Sequence, residues 1–298
     1  MAASQVPVWF ITGASSGFGE AIAFEALSRG HKVIATARNS SKLGKLTDAG
    51  AKVMDLDVTS DDDTLGDKLK GANALYGRIT HVASCAGYIL EGTVEEASAK
   101  EVYDIFNTNV LGTASIARAV APYLREAAQQ GHQTALANFG SLGSWTSNAA
   151  VAHYCSTKFA VTGLTLGLAE ELSPFGISVC SIEPGYTRTG FLVGSSGHRV
   201  KTARTLDVYS AGGNGNHPAA AVRGAMEAYS GKQPNDVVKC ARVIVDVLTR
   251  EGVAQGREIP VRLVLGADCY ETAKKASEDA LGWLKDWEGV SVSVGHDE

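Results

Sequence analysis

Between a short β-prone run, Val8 to Thr12, and residues 18 to 29, whose apolar side chains recur at helical spacing, the chain carries Thr12-Gly13-Ala14-Ser15-Ser16-Gly17-Phe18-Gly19. A strand that enters a helix through a turn this rich in glycine has few folds open to it. Glycine lets the backbone turn sharply and come close to a neighbour with no Cβ in the way. The helix that follows points its free N–H groups and positive dipole end at the turn, which makes an anion site. Gly19 would let that helix lie close on the sheet. The turn opens a β–helix–β unit, the context that a phosphate-binding loop requires.

Further strands are expected at Lys32 to Ala37, Ala51 to Leu56, Ile79 to Ser84, Thr134 to Phe139, Ile177 to Ile182 and Ile259 to Leu265. Long helical patterns run from about Ala99 to Gln130 and from Tyr154 to Leu172, the second stopped by Ser173-Pro174. Near-continuous apolar strands alternating with helices predict an α/β fold: a doubly wound, Rossmann-type parallel sheet of about seven strands with helices on both faces. No repeat or linker divides the chain, so residues 1–298 are read as one domain. Residues 190 to 218, rich in Gly, Ser and Asn, read as a mobile loop, and 190–235 as a substrate lid. Residues 267 to 298 form a C-terminal extension, whose Trp283 and Trp287, four apart, suggest a packing or interface helix.

Composition narrows the function classes. Net charge is −5, and no Lys/Arg cluster is long enough to make a nucleic-acid face. No stretch reaches the roughly 18 apolar residues of a membrane span, and the first residues lack the pattern of a signal peptide. The five cysteines include no CxxC pair and read as reduced, buried thiols of a cytoplasmic protein; no metal site is expected.

The chemistry concentrates in Tyr154-Cys155-Ser156-Thr157-Lys158. A Tyr and a Lys four residues apart share one face of a helix. A phenol is a poor base at neutral pH, and a neighbouring ammonium favours the phenolate, so the pair is expected to lower the tyrosine pKa for proton exchange with a substrate oxygen. Ser141, thirteen residues before Tyr154 and just past a strand, would sit at the carboxyl edge where such sheets bind ligands. Its hydroxyl could polarise the same oxygen; Ser144 is the rival. At the end of the second strand, where an acidic residue would bind an adenosine ribose, the chain has Arg38-Asn39-Ser40. A guanidinium there suits a 2′-phosphate and favours NADP(H); the other reading of Arg38 is a solvated surface charge.

The turn TGxxxGxG, with Ser141, Tyr154 and Lys158 at this spacing, resembles the short-chain dehydrogenase/reductase family over residues 6 to 190. The likeness fades over 191 to 258 and beyond 267. It implies that Asn109, in Asn107-Thr108-Asn109-Val110-Leu111-Gly112, kinks its helix and holds a water in a relay to Lys158. It implies nucleotide contacts from Gly13, Ser15, Ser16, Gly17, Phe18 and Gly19 in the turn. Further contacts would come from Arg38, Asn39, Asp57, Val58, Ala86, Gly87, Tyr154 and Lys158. After the sixth strand, Pro184, Gly185 and Thr187 would meet the nicotinamide carboxamide, with Thr189 the alternative to Thr187. Ser84-Cys85 departs from the family's Asn-Asn, which removes a set of sheet-bracing hydrogen bonds.

The expectation is an NADP(H)-dependent oxidoreductase interconverting a carbonyl and an alcohol, working as a homodimer or homotetramer. Phe191, Leu192, Val193, Leu206, Val208 and Tyr209 suggest an apolar substrate. Alternatives on the same fold are an isomerase, dehydratase or cyclase, and a non-catalytic NADP-binding protein.

Overall fold

The computed structural model describes residues 6–193, 198–210 and 217–296. Strand and helix alternate: β1 (Val8–Thr12), α1 (Gly17–Ser28), β2 (Lys32–Ala37), α2 (Gly44–Asp48), β3 (Lys52–Asp55), α3 (Asp62–Tyr76), β4 (His81–Ser84), β5 (Ile89–Glu91), α4 (Ala99–Phe106), α5 (Gly112–Gln129), β6 (Thr134–Phe139), α6 (Ala152–Leu172) and β7 (Ile177–Pro184). Then come β8 (Thr187–Arg188), β9 (Arg199–Lys201), α7 (Pro218–Tyr229), β10 (Asn235–Asp236), α8 (Val237–Thr249), β11 (Arg262–Leu265), α9 (Ala267–Asp286) and α10 (Glu288–Ser291).

Seven strands form one parallel sheet in the order β11-β7-β6-β4-β1-β2-β3. Both of its faces are covered, which is why its central strands read as apolar runs: every residue of β1, β4 and β6 is buried. Alternation along β1 divides the core. Trp9 and Ile11 pack with Ile22 of α1 and Ile244 of α8, whereas Val8 and Phe10 pack with Leu69 of α3 and Val120 of α5. The chain runs outward from β1 to β2 and β3, then crosses back to β4 on the other side. That reversal between β1 and β4 opens a crevice at the carboxyl ends of the strands, the place where open α/β sheets bind ligands.

The predicted strands hold, with 51–56, 79–84 and 259–265 shortened to Lys52–Asp55, His81–Ser84 and Arg262–Leu265. The helix expected over 99 to 130 is broken: a π-helical turn, Asn107–Leu111, separates α4 from α5. Residues 190 to 218 are not simply a loop. They include β9, which pairs in parallel with β5, and a short turn at Asp207–Tyr209; the run 211–216 and residues 194–197 lie outside the described residues. The rest of the expected lid holds α7, whose Pro218 occupies the first turn and whose His217 Nδ1 accepts from Ala219 N at 3.1 Å. Among the described residues no helix is long and apolar enough to cross a membrane.

Candidate active site

A cavity of about 840 Å³ runs along the carboxyl edge from the glycine turn to α7. Of the nucleotide and catalytic residues expected from the sequence, all but Asn39 and Asn109 line it.

The glycine turn is built by close approach. Gly13 has φ +64°, and a Cβ there would lie 2.9 Å from the Ala86 backbone; one on Gly19 would lie 2.6 Å from the Gly13 carbonyl oxygen. Neither position has room for a side chain, so β1, α1 and the end of β4 meet around a cradle of bare backbone. Ser16 is the N-cap of α1, yet its hydroxyl makes no cap bond. It lies instead 2.9 Å from His198 Nε2. The first amides of α1 are therefore left without the side-chain acceptor that an N-cap serine normally supplies, and they remain able to hold an anion.

Past β2, Arg38 is exposed at the cavity wall. Asn39 is placed differently from expectation. Its amide oxygen accepts from Ser41 N at 2.9 Å and caps the next turn, which takes it away from the cavity. Asp57 lines the wall, with its carboxylate accepting from Thr59 N at 3.0 Å and Thr59 Oγ1 at 2.7 Å.

Tyr154 and Lys158 share a face of α6, with the ammonium 5.7 Å from the ring centroid. Lys158 Nζ donates to the Phe139 carbonyl at 2.7 Å, and burial pushes its pKa down to about 8. Burial holds the Tyr154 phenol above its usual range, and a hydrogen bond with Ser141 pulls the other way. The expectation of a lowered phenol is thus reversed in the protein alone: desolvation outweighs its neighbours, and Tyr154 stays protonated at neutral pH.

The two serines separate clearly. Ser141 bonds with Tyr154 and accepts from Gly143 N at 3.1 Å. Ser144 is buried outside the cavity lining, where it accepts from Ser141 N at 3.2 Å and donates to the Lys158 carbonyl at 3.0 Å. Ser144 thus ties the Ser141 turn to α6. The turn is braced from behind by Glu183, whose carboxylate accepts from Trp145 Nε1 at 2.7 Å and Arg262 Nε at 2.9 Å.

Asn109 sits within the π-helical turn, so its helix is distorted as expected. Its side chain does not reach the cavity because both amide atoms are engaged. Oδ1 accepts from Tyr88 N at 3.0 Å, and Nδ2 donates to Tyr88 O at 2.9 Å and Thr157 Oγ1 at 3.1 Å. It therefore staples the segment after β4 to α6, directly behind Tyr154. Thr187 lines the cavity and donates to Gly185 O at 3.1 Å, while Thr189 accepts from Phe191 N at 3.2 Å. The departure at Ser84 shows as expected: Ser84 Oγ and Asn138 Oδ1, on paired residues of β4 and β6, are buried without partners among the described residues.

The family model for short chain dehydrogenases matches residues 7–198. This chain belongs to the short-chain dehydrogenase family. It is 31% identical to "Oxidoreductase BOA17" of Botryotinia fuckeliana over 96% of this chain and 98% of that one. It is 32% identical to "Oxidoreductase calM" of Penicillium decumbens, covering 95% and 90% of the two chains. The crystal structure of a short-chain dehydrogenase from Streptomyces avermitilis superposes with a TM-score of 0.82 at 31% identity, covering 99% and 100%.

In this short-chain dehydrogenase the wall beyond Tyr154 differs from the sequence expectation. Phe191 and Leu192 line the cavity, but Val193, Leu206, Val208 and Tyr209 do not. Tyr209 instead donates to Glu95 Oε2 at 2.7 Å, and Val208 is exposed. Val222, Met226 and Tyr229 of α7 take their place. Their signal was the short helical pattern after Pro218, hidden behind a glycine-rich run. His198 was also missed, because nothing local in the sequence says that it will meet a turn 182 residues earlier.

Proposed function

We propose that this chain is an NADP(H)-dependent oxidoreductase that interconverts a carbonyl and an alcohol, acting chiefly as a reductase on an apolar substrate. The observation that carries the reading is Tyr154 sharing a helix face with Lys158, in one cavity with Ser141 and the glycine cradle. The cradle suits a dinucleotide, since Gly13 and Gly19 let the turn and α1 close up backbone on backbone and Ser16 makes no side-chain cap bond to α1. Arg38 would meet the 2′-phosphate, Lys158 the nicotinamide ribose, and Pro184, Gly185 and Thr187 the carboxamide. Fold neighbours are described in complex with NAD, from Burkholderia phymatum, and with NADPH, from Sphingobium yanoikuyae.

When bound, the nicotinamide supplies the hydride. Ser141 orients and polarises the substrate oxygen, and Tyr154 gives its proton to that oxygen as general acid. The Lys158 ammonium stabilises the phenolate left behind. Asn109 fixes the backbone through which a water would return the proton. Further parts of the same reading are one domain with a lid over 190–235 and an extension over 267–298, a cytoplasmic location with all five thiols free, and assembly as a homodimer or homotetramer.

Titration of the protein with NADPH and with NADH, followed by nicotinamide fluorescence, tests it. NADPH is expected to bind more tightly, and Arg38→Ala to remove most of that preference. Folded protein that binds neither nucleotide would overturn the reading.

A further inference from the structure

The substrate end of the cavity is apolar, walled by Leu192, Val222 and Met226. Gln233 breaks that character. It lies between α7 and β10, lines the same cavity and is 1% exposed. Its backbone is pinned: the carbonyl oxygen accepts from Arg188 Nε at 3.3 Å and Nη2 at 3.0 Å. Its side-chain amide is not, for Oε1 and Nε2 are both buried with no hydrogen-bond partner among the described residues.

A primary amide brings two donors and an oxygen with two lone pairs. Buried polar groups left unmet are rare and costly, and an apolar side chain of the same length would fill this space without that cost.

We propose that Gln233 is a substrate-recognition residue. It takes a neutral group offering a donor and an acceptor side by side, such as a carboxamide, on the part of an apolar substrate remote from the carbonyl held by Ser141 and Tyr154. The substrate class is then an apolar ketone or aldehyde with a neutral polar tail. A site built to hydrogen-bond a group rejects the analogue lacking it far more sharply than an apolar pocket rejects a misfit, because its own polar atoms are stranded. This inference rests on the oxidoreductase reading above.

The test pairs para-acetylbenzamide with acetophenone as ketones, in wild type and Gln233→Met, with NADPH oxidation and thermal melting as readouts. Wild type is expected to prefer the amide-bearing ketone at least tenfold in kcat/KM, mainly through KM, and Gln233→Met to bring that ratio near one. Gln233→Met is also expected to melt at a higher temperature, since it removes two stranded polar groups. An unchanged ratio in the variant, or a lower melting temperature, overturns the proposal. Should neither ketone turn over, the melting comparison alone decides. Failure of wild type to bind NADPH counts against the oxidoreductase reading instead and leaves the melting result to judge Gln233.

Discussion

Burial holds the Tyr154 phenol above its usual range, against the pull of Ser141, so its proton stays in place well past neutral pH. A group already protonated can serve as an acid in reduction at no cost. Tyr154→Phe removes the proton and nothing else of the ring. Carbonyl reduction is expected to fall by about 10²–10⁴-fold, the usual worth of a general acid, with NADPH binding by fluorescence retained. Lys158 adds a pH dependence. Its folded pKa of about 8 lies below the ordinary 10.5, so the folded protein gives up this proton before the unfolded chain does. The lysine therefore costs stability in full below about pH 8, and that cost is relieved as pH climbs from about 8 toward 10.5. Reduction is expected to decline as pH rises through the same value, because a neutral amine no longer steadies the phenolate. A pH–rate profile with no break near there would show that Lys158 does not carry this charge. At this scale the sequence was most legible where chemistry depends on spacing along one element. The pair Tyr154 and Lys158 needs only a helix. Spacing from Tyr154 favoured Ser141 over Ser144, and Ser141 is the one in the cavity lining; what Ser144 does instead was not legible, since its bond to the Lys158 carbonyl depends on how the turn packs on α6.

The short strand β9 owes its existence to β5, more than a hundred residues earlier. The two are clamped by Arg199 and Glu91, both buried, and Arg223 of α7 meets the buried Glu96 close by. Taking away one partner of a buried pair leaves the other charge uncompensated, at roughly 3–5 kcal/mol. Arg199→Met is therefore expected to loosen the segment that carries β9. Limited proteolysis should cut within residues 190–235 faster than in wild type, with the central sheet intact by circular dichroism; equal cutting rates would refute the clamp. Elements of this kind do not show in sequence, because three residues carry too little periodicity to stand out and their partner is distant. The π-helical turn at Asn107–Leu111 is hidden for a related reason: one extra residue per turn shifts the apolar stripe without breaking it. Strands β1, β2 and β6 were legible because double-sided burial writes an unbroken apolar run.

For the molecule as a whole, topology was readable because β–helix–β units admit few arrangements, the crossovers being right-handed and the strands parallel. What did not follow was the role of the tail. Trp283 and Trp287 are 68% and 63% exposed, so the packing role expected of them is not met among the described residues. The parallel sheet carries one more consequence. Every strand delivers its last residue to the rim that holds the cavity, so the start of β1, beside Val6, faces the opposite way. A sensor chip or resin linked ahead of Val6 would carry the protein with its mouth toward the solution. Nucleotide and substrate could then arrive unobstructed, whichever side of a flow cell the protein is fixed to.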